Sequence, residues 1–140
     1  MGWAISLRKG VRMSEVPAEL KYTKEHEWTR AEGGRVVIGI TDFAQDQLGD
    51  VVFVELPEAG TAVEAGKPLG EVESTKSVSD VYSPISGTVV EKNTEVEQTP
   101  ELINSDPYGK GWLVAIEPVG ELGDLLSADD YRAFVESDAR

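Results

Sequence analysis

Gly70 to Pro84, GEVESTKSVSDVYSP, sets two short β-rich runs on either side of one lysine, Lys76. It is the only basic residue between Lys67 and Lys92, and its immediate neighbours are Thr75 and Ser77. The pattern predicts a hairpin with the lysine at its apex. A lysine so placed is an exposed four-carbon handle ending in an amine that an enzyme can acylate. Such a handle suits a protein that carries a swinging cofactor. The pattern equally fits an ordinary surface lysine screened by Glu71, Glu73 and Asp80, and one lysine in a turn does not decide between the two.

Composition works by exclusion. A chain of 140 residues is expected to form one domain with a core large enough to fold alone. It has no cysteine, hence no disulfide framework, thiolate nucleophile or thiolate metal site. One histidine, His26, argues against an imidazole metal centre or a histidine relay. The balance of 13 basic and 26 acidic residues gives a net charge of −13. Nucleic acid and anionic membranes repel such a surface, whereas partners with basic docking faces are favoured. Solubility alone accounts for most of these charges equally well.

Residues 1–13, MGWAISLRKGVRM, are basic and acid-free, leaving 10 basic against 26 acidic residues from Ser14 onward. They are expected to be a disordered N-terminal extension or an upstream start, with Met13 the natural one and the domain occupying 14–140. An Arg-rich, acid-poor targeting remnant is the alternative, and Met1, Gly2 and Ser6 formally fit the loose myristoylation pattern. No apolar run approaches the length of a membrane span or a secretory core. A soluble protein is expected, cytoplasmic in a bacterium or mitochondrial if residues 1–13 are a targeting remnant.

EHEWTRAEGGRVVIGI predicts two strands joined at Gly33-Gly34. Thr41 or Asp42 caps a short helix, DFAQDQLG, closed by Gly49. DVVFVEL is β-rich, with Val51, Phe53 and Leu56 expected on one face. GTVVEKN and GWLVAIEP are further strands, and NTEVEQTPELINS is helical with a break near Pro100. Ser127, with Asp130 three residues on, starts an amphipathic helix whose Tyr131, Phe134 and Val135 are expected to dock on the sheet. The frame Pro-x-x-Gly-Thr-x-Val-Glu occurs at Pro57–Glu64 and again 27 residues later at Pro84–Glu91. Two copies suit a sandwich with approximate two-fold symmetry, although generic turn chemistry also produces such frames.

Four motifs in order carry a resemblance: YTKEHEW (Tyr22 to Trp28), GITDFAQDQLGDVVFVELPEAG (Gly39 to Gly60), GEVESTKSVSDVYSPISG (Gly70 to Gly87) and ELINSDPYGKGWL (Glu101 to Leu113). Across about Tyr22 to Phe134 the chain resembles the H proteins of the glycine cleavage system. The resemblance implies a mostly β, barrel-sandwich hybrid fold of the lipoyl and biotinyl carrier type, with short flanking helices. It implies lipoic acid in amide linkage to Lys76, with Glu73 and Gly87 assisting the lipoylating enzyme. Gly87 is also expected to be a turn glycine with positive φ. It further implies a shuttle without catalytic residues of its own. A pyridoxal-phosphate glycine decarboxylase loads the arm, an aminomethyltransferase unloads it to tetrahydrofolate, and a dihydrolipoamide dehydrogenase reoxidises it. The loaded arm is expected to rest in a surface cleft, for which Glu25, His26 and Glu27 are candidates. An alternating strand shows only some of these to one face, so a structural role for His26 remains open. Trp28, Trp112 and the turn Ser105 to Gly109 are expected to be structural.

Other carriers fit less well. Biotin carriers place methionines beside the lysine, where this chain has Thr75 and Ser77, and 2-oxoacid dehydrogenase lipoyl domains lack ELINSDPYG. An enzyme working through paired carboxylates would need a nucleophile, metal cluster or phosphate loop that the sequence does not offer. Some H proteins donate lipoyl groups to other enzymes, and the sequence does not separate donor from shuttle. A monomer that binds its partners transiently is expected.

Overall fold

A computed structural model describes residues 15–120 and 122–138. The predicted extension, residues 1–13, lies outside the described residues. In chain order the elements are β1 (Lys21–Tyr22), β2 (Glu27–Glu32), β3 (Arg35–Ile40), α1 (Asp42–Leu48), β4 (Val51–Glu55), β5 (Ala62–Val63) and β6 (Pro68–Ser74). β7 (Val78–Tyr82), β8 (Gly87–Lys92), α2 (Thr94–Gln98), α3 (Leu102–Ser105), β9 (Val114–Pro118) and α4 (Ala128–Asp138) follow. One antiparallel sheet has the order β1-β2-β3-β9-β8-β5, and a second has the order β4-β6-β7. Two sheets with short helices at their edges make the barrel-sandwich hybrid that the family resemblance implies.

The apolar periodicity explains the layers. Val36, Ile38, Ile40, Val114 and Ile116 point between the sheets, where they meet Val54, Val72 and Val81. Val37 and Ala115 point the other way, into a second cluster with Tyr22, Trp28 and Tyr131 under α4. Phe134 and Val135 pack there too, as α4's sequence predicts. Each fully buried Val or Ile contributes about 1.5–3 kcal/mol of transfer free energy. Gly39 lies across from Trp28, and a Cβ on it would come within 2.7 Å of the indole. The Gly33-Gly34 turn has φ of 53° and 84°, a left-handed pair that matches the twist of the strands it joins.

The repeated frame has a physical counterpart. Its two copies pair with each other through β5 and β8, Ala62 against Thr88 and Val63 against Gly87, in the antiparallel sense a local two-fold demands.

β4 departs from the expected alternation. A register shift between Val51 and Phe53 rephases the strand, so Val51, Val54 and Leu56 are buried while Val52 and Phe53 are each 51% exposed. A bulge leaves one residue unpaired and turns its neighbours over. Gly87 departs too, because its φ is not positive. It opens β8, buried between Val63 and Pro118, where a Cβ would run into the Glu117 carbonyl oxygen and come within 2.8 Å of Ile116 Cγ2. Close approach of backbone, rather than a turn, is what requires glycine there.

Candidate functional site

Lys76 stands at the tip of the β6–β7 hairpin, exposed as predicted. The turn beneath it is fixed by Ser74, whose buried hydroxyl accepts from the backbone N–H of Lys76 and of Ser77, both at 3.1 Å. Ser74 N–H donates to the Ser77 carbonyl at 2.8 Å, and Thr75 N–H donates to the Asp50 carbonyl at 3.1 Å. The tip is thus tied to the loop that follows α1. The lysine stem crosses Gly49, the C-cap of α1 at φ 84°, where a Cβ would lie 3.3 Å from Lys76 Cε. Asn104 holds this loop: it donates to the Gly49 carbonyl at 2.9 Å and accepts from Val51 N–H at 2.9 Å.

Beside the hairpin opens a cleft of about 560 Å³. Glu25, His26 and Glu27 line one side, Phe43, Gln47 and Leu48 of α1 another, and Ser77 to Val81 of the hairpin a third. The three candidates from the EHEW segment therefore share one cavity. Strand alternation does not separate them, because β2 begins only at Glu27. Glu25 and His26 belong to a turn closed by His26 N–H donating to the Thr23 carbonyl at 3.1 Å.

Glu27 is 2% exposed. Thr23 donates to its Oε1 at 2.7 Å, and the backbone N–H of Tyr82 donates to its Oε2 at 3.1 Å, so its carboxyl joins β2 to the end of β7. Burial pushes the carboxyl up to about 7, with neighbouring Glu25 adding to the rise and the two hydrogen bonds opposing it. A carboxyl so poised takes up or releases a proton near neutral pH.

His26 adopts φ 73°, a left-handed conformation that costs a non-glycine residue energy. Its carbonyl accepts from Thr41 N–H at 3.0 Å, and its Nδ1 lies 2.7 Å from the Tyr131 hydroxyl. That hydroxyl is in turn 2.8 Å from Thr41 Oγ1, which caps α1 by accepting from Ala44 N–H at 3.2 Å. Burial raises the Tyr131 hydroxyl pKa far above neutrality, so the bridge stays protonated. The imidazole also packs against Phe43 and Phe134. His26 thus both lines the cleft and anchors it to α4.

Glu73 and Gly87 lie apart from the cleft. Glu73 is half-buried in β6, in register with Phe53 on one side and Val78 on the other. Gly87 belongs to the other sheet. Trp28 donates from Nε1 to the Pro107 carbonyl at 3.0 Å, and Tyr108 accepts from Asp42 N–H at 3.0 Å, so Trp28 and the Ser105 to Gly109 turn brace the fold. The sequence analysis missed α1's share of the cleft, Tyr131 behind His26 and Asn104 behind Gly49. The first was detectable: Phe43, Ala44, Gln47 and Leu48 share a helical face, and all four line the cleft. The other two contacts span 105 and 55 residues and leave no local signal.

Among the described residues no group of acidic or histidine side chains is arranged to hold a metal ion. No described helix is long and apolar enough to cross a membrane.

A family model for the glycine cleavage H-protein matches residues 20–138. A glycine cleavage system H protein of Rubrobacter xylanophilus is 54% identical over 126 residues, covering 90% of this chain and 99% of the relative. One from Symbiobacterium thermophilum is 58% identical over 126 residues, covering 89% and 98%. The crystal structure of a glycine cleavage system H protein from Mycobacterium marinum superposes with a TM-score of 0.80 at 44% identity, covering 89% of this chain and all of that one. With most of its length matched by the family model and by these relatives, the chain belongs to the glycine cleavage H-protein family.

Proposed function

We propose that the protein is a lipoyl-carrying shuttle of the glycine cleavage system, with lipoic acid in amide linkage to Lys76. One observation carries the assignment: the exposed amine sits on a turn fixed by Ser74, one residue from a cleft of about 560 Å³ that the hairpin helps to line. The cleft suits an acyl arm, since Ile40, Phe43, Leu48, Val72 and Val81 give it apolar wall and Glu25 and Glu27 give it acid. Bound at Lys76, the group supplies a disulfide that accepts the aminomethyl unit from the pyridoxal-phosphate decarboxylase, yields it to the aminomethyltransferase and returns electrons through dihydrolipoamide dehydrogenase.

The chain's own residues attach, orient and shelter. Ser74 and Gly49 set the root of the arm. Glu25 offers a carboxylate to an ammonium, and the apolar wall excludes water from it. No side chain forms or breaks a bond, so the protein is a carrier and not a catalyst. Glu73 and Gly87 are assigned to recognition by the lipoylating enzyme, Gly87 through the backbone packing it permits. A monomer serves this exchange among enzymes. The bacterial origin of the relatives supports a cytoplasmic setting.

Lys76→Arg tests the assignment. It keeps the charge and leaves the fold intact, and it is expected to abolish glycine cleavage in a reconstituted system. Normal activity of that variant would refute the carrier function.

A further inference from the structure

The outward face of the three-stranded sheet has two registered rows. Phe53, Glu73 and Val78 form the first, nearest the Lys76 turn, and Glu55, Glu71 and Asp80 form the second. Side chains directly opposite one another on antiparallel strands share a face, and like charges so placed destabilise the sheet. The second row sets three exposed carboxylates side by side, with no cation within ion-pair distance of them among the described residues. Folding does not call for this arrangement. The first row is equally uneconomical: Phe53 is 51% and Val78 56% exposed, and the bulge turns Val52 out beside them, also 51% exposed. Three of the six large apolar side chains exposed among the described residues are therefore gathered on this face.

Resting on the carrier assignment above, we infer that this face is the docking surface for the enzyme that acylates Lys76. The partner presents an apolar depression for Phe53 and Val52, rimmed by lysine or arginine that meets Glu55 and Glu71. An apolar centre with a charged rim is the usual anatomy of such a contact, and charge complementarity speeds the encounter. The position favours the acylating enzyme because Phe53 and Val78 flank Glu73 one row from the turn. Val78 and Asp80 also border the cleft, whereas Phe53, Glu55 and Glu71 stand clear of it, so a partner seated on β4 and β6 approaches the hairpin from outside the cleft. In the reaction served, the amine gives its proton to solvent base and forms a C–N bond to the carbonyl carbon of an acyl adenylate. The adenylate leaves with the bonding pair, and no oxidant or reductant is consumed.

The test uses the full chain, unmodified at Lys76, with a purified lipoate ligase supplied with lipoate and ATP. Wild type is expected to gain one lipoyl amide at Lys76, at a rate that falls as NaCl rises. Phe53→Ser is expected to raise KM for the chain about tenfold while kcat changes less than about twofold. The double variant Glu55→Gln, Glu71→Gln is expected to flatten the salt dependence. Val119→Ser, at an exposed apolar position beyond β9, is the control and is expected to match wild type. Unchanged KM in Phe53→Ser together with an unchanged salt slope in the double variant, while Lys76 is still modified, overturns the docking face and leaves the carrier function standing. Failure of wild type itself to accept the lipoyl group, with a known substrate of the ligase reacting normally, overturns both.

Discussion

Along β3 every residue from Val36 to Ile40 is buried, because Val36, Ile38 and Ile40 face the space between the sheets while Val37 faces the layer under α4. Along β6 only Val72 and Ser74 are buried, and the residues between and before them face outward or toward the rim. The two sheets share one core, yet the six-stranded sheet is largely covered on both sides and the three-stranded one on its inner side alone. The difference separates two duties. Rigidity comes from the covered sheet, whose strands read as nearly continuous apolar runs. The other sheet spends its outer face on carboxylates, exposed valines and a phenylalanine, and holds Lys76 at its tip. A hairpin packed on one face only is well supported at its base and reachable from most directions at its turn.

Substitutions in the two sheets are expected to differ sharply. Trp28→Ala in β2 removes a fully buried indole along with its hydrogen bond to Pro107, and is expected to cost about 3–5 kcal/mol by chemical denaturation. A cost below about 1 kcal/mol there would erase the distinction between the sheets.

The next effect belongs to the seam between them, where Glu27 of β2 accepts from Tyr82 N–H of β7. Its carboxyl rises from an ordinary 4.5 to about 7 on folding, so the folded state binds the proton more tightly than the unfolded one. The stabilisation this confers is complete below about pH 4.5 and is lost as pH climbs through about 7. Relative to Glu27→Gln, wild type is therefore expected to lose stability on the order of 3 kcal/mol between these limits, and nothing further above them. Parallel stability curves for the two proteins across that range would show that Glu27 is not desolvated as described.

Within the exposed sheet, Ser74→Ala removes the acceptor for the Lys76 and Ser77 amides and is expected to cost about 1 kcal/mol. Faster hydrogen exchange should then appear at these two amides and not across β3. The smallest change is Phe53→Ser, expected to shift stability by no more than about 0.5 kcal/mol, since the ring is half exposed.

What the sequence made legible follows the same division. Strands buried on two faces, such as β3 and β9, announce themselves by composition, and the Gly33-Gly34 turn and the Thr41 cap carry their own local chemistry. The Lys76 hairpin was readable because its turn residues and flanking strands are contiguous. β4 was misphased because nothing in VVFVE marks a bulge: neither glycine nor proline signals the shift between Val51 and Phe53, which follows from pairing with β6. Gly87 was assigned its glycine for the wrong reason, since the Glu117 carbonyl that forbids a side chain arrives from a strand 30 residues away. The three EHEW side chains line one cleft because the turn at Thr23 to His26 brings them together where simple alternation would have divided them.

Peptide mass spectrometry of the protein purified from cells with working lipoylation tests the central claim most directly. A single lipoyl amide mapped to Lys76, and to neither Lys67 nor Lys92, is the result this account predicts. An unmodified Lys76 under those conditions, or a lipoyl group on another lysine, would contradict it.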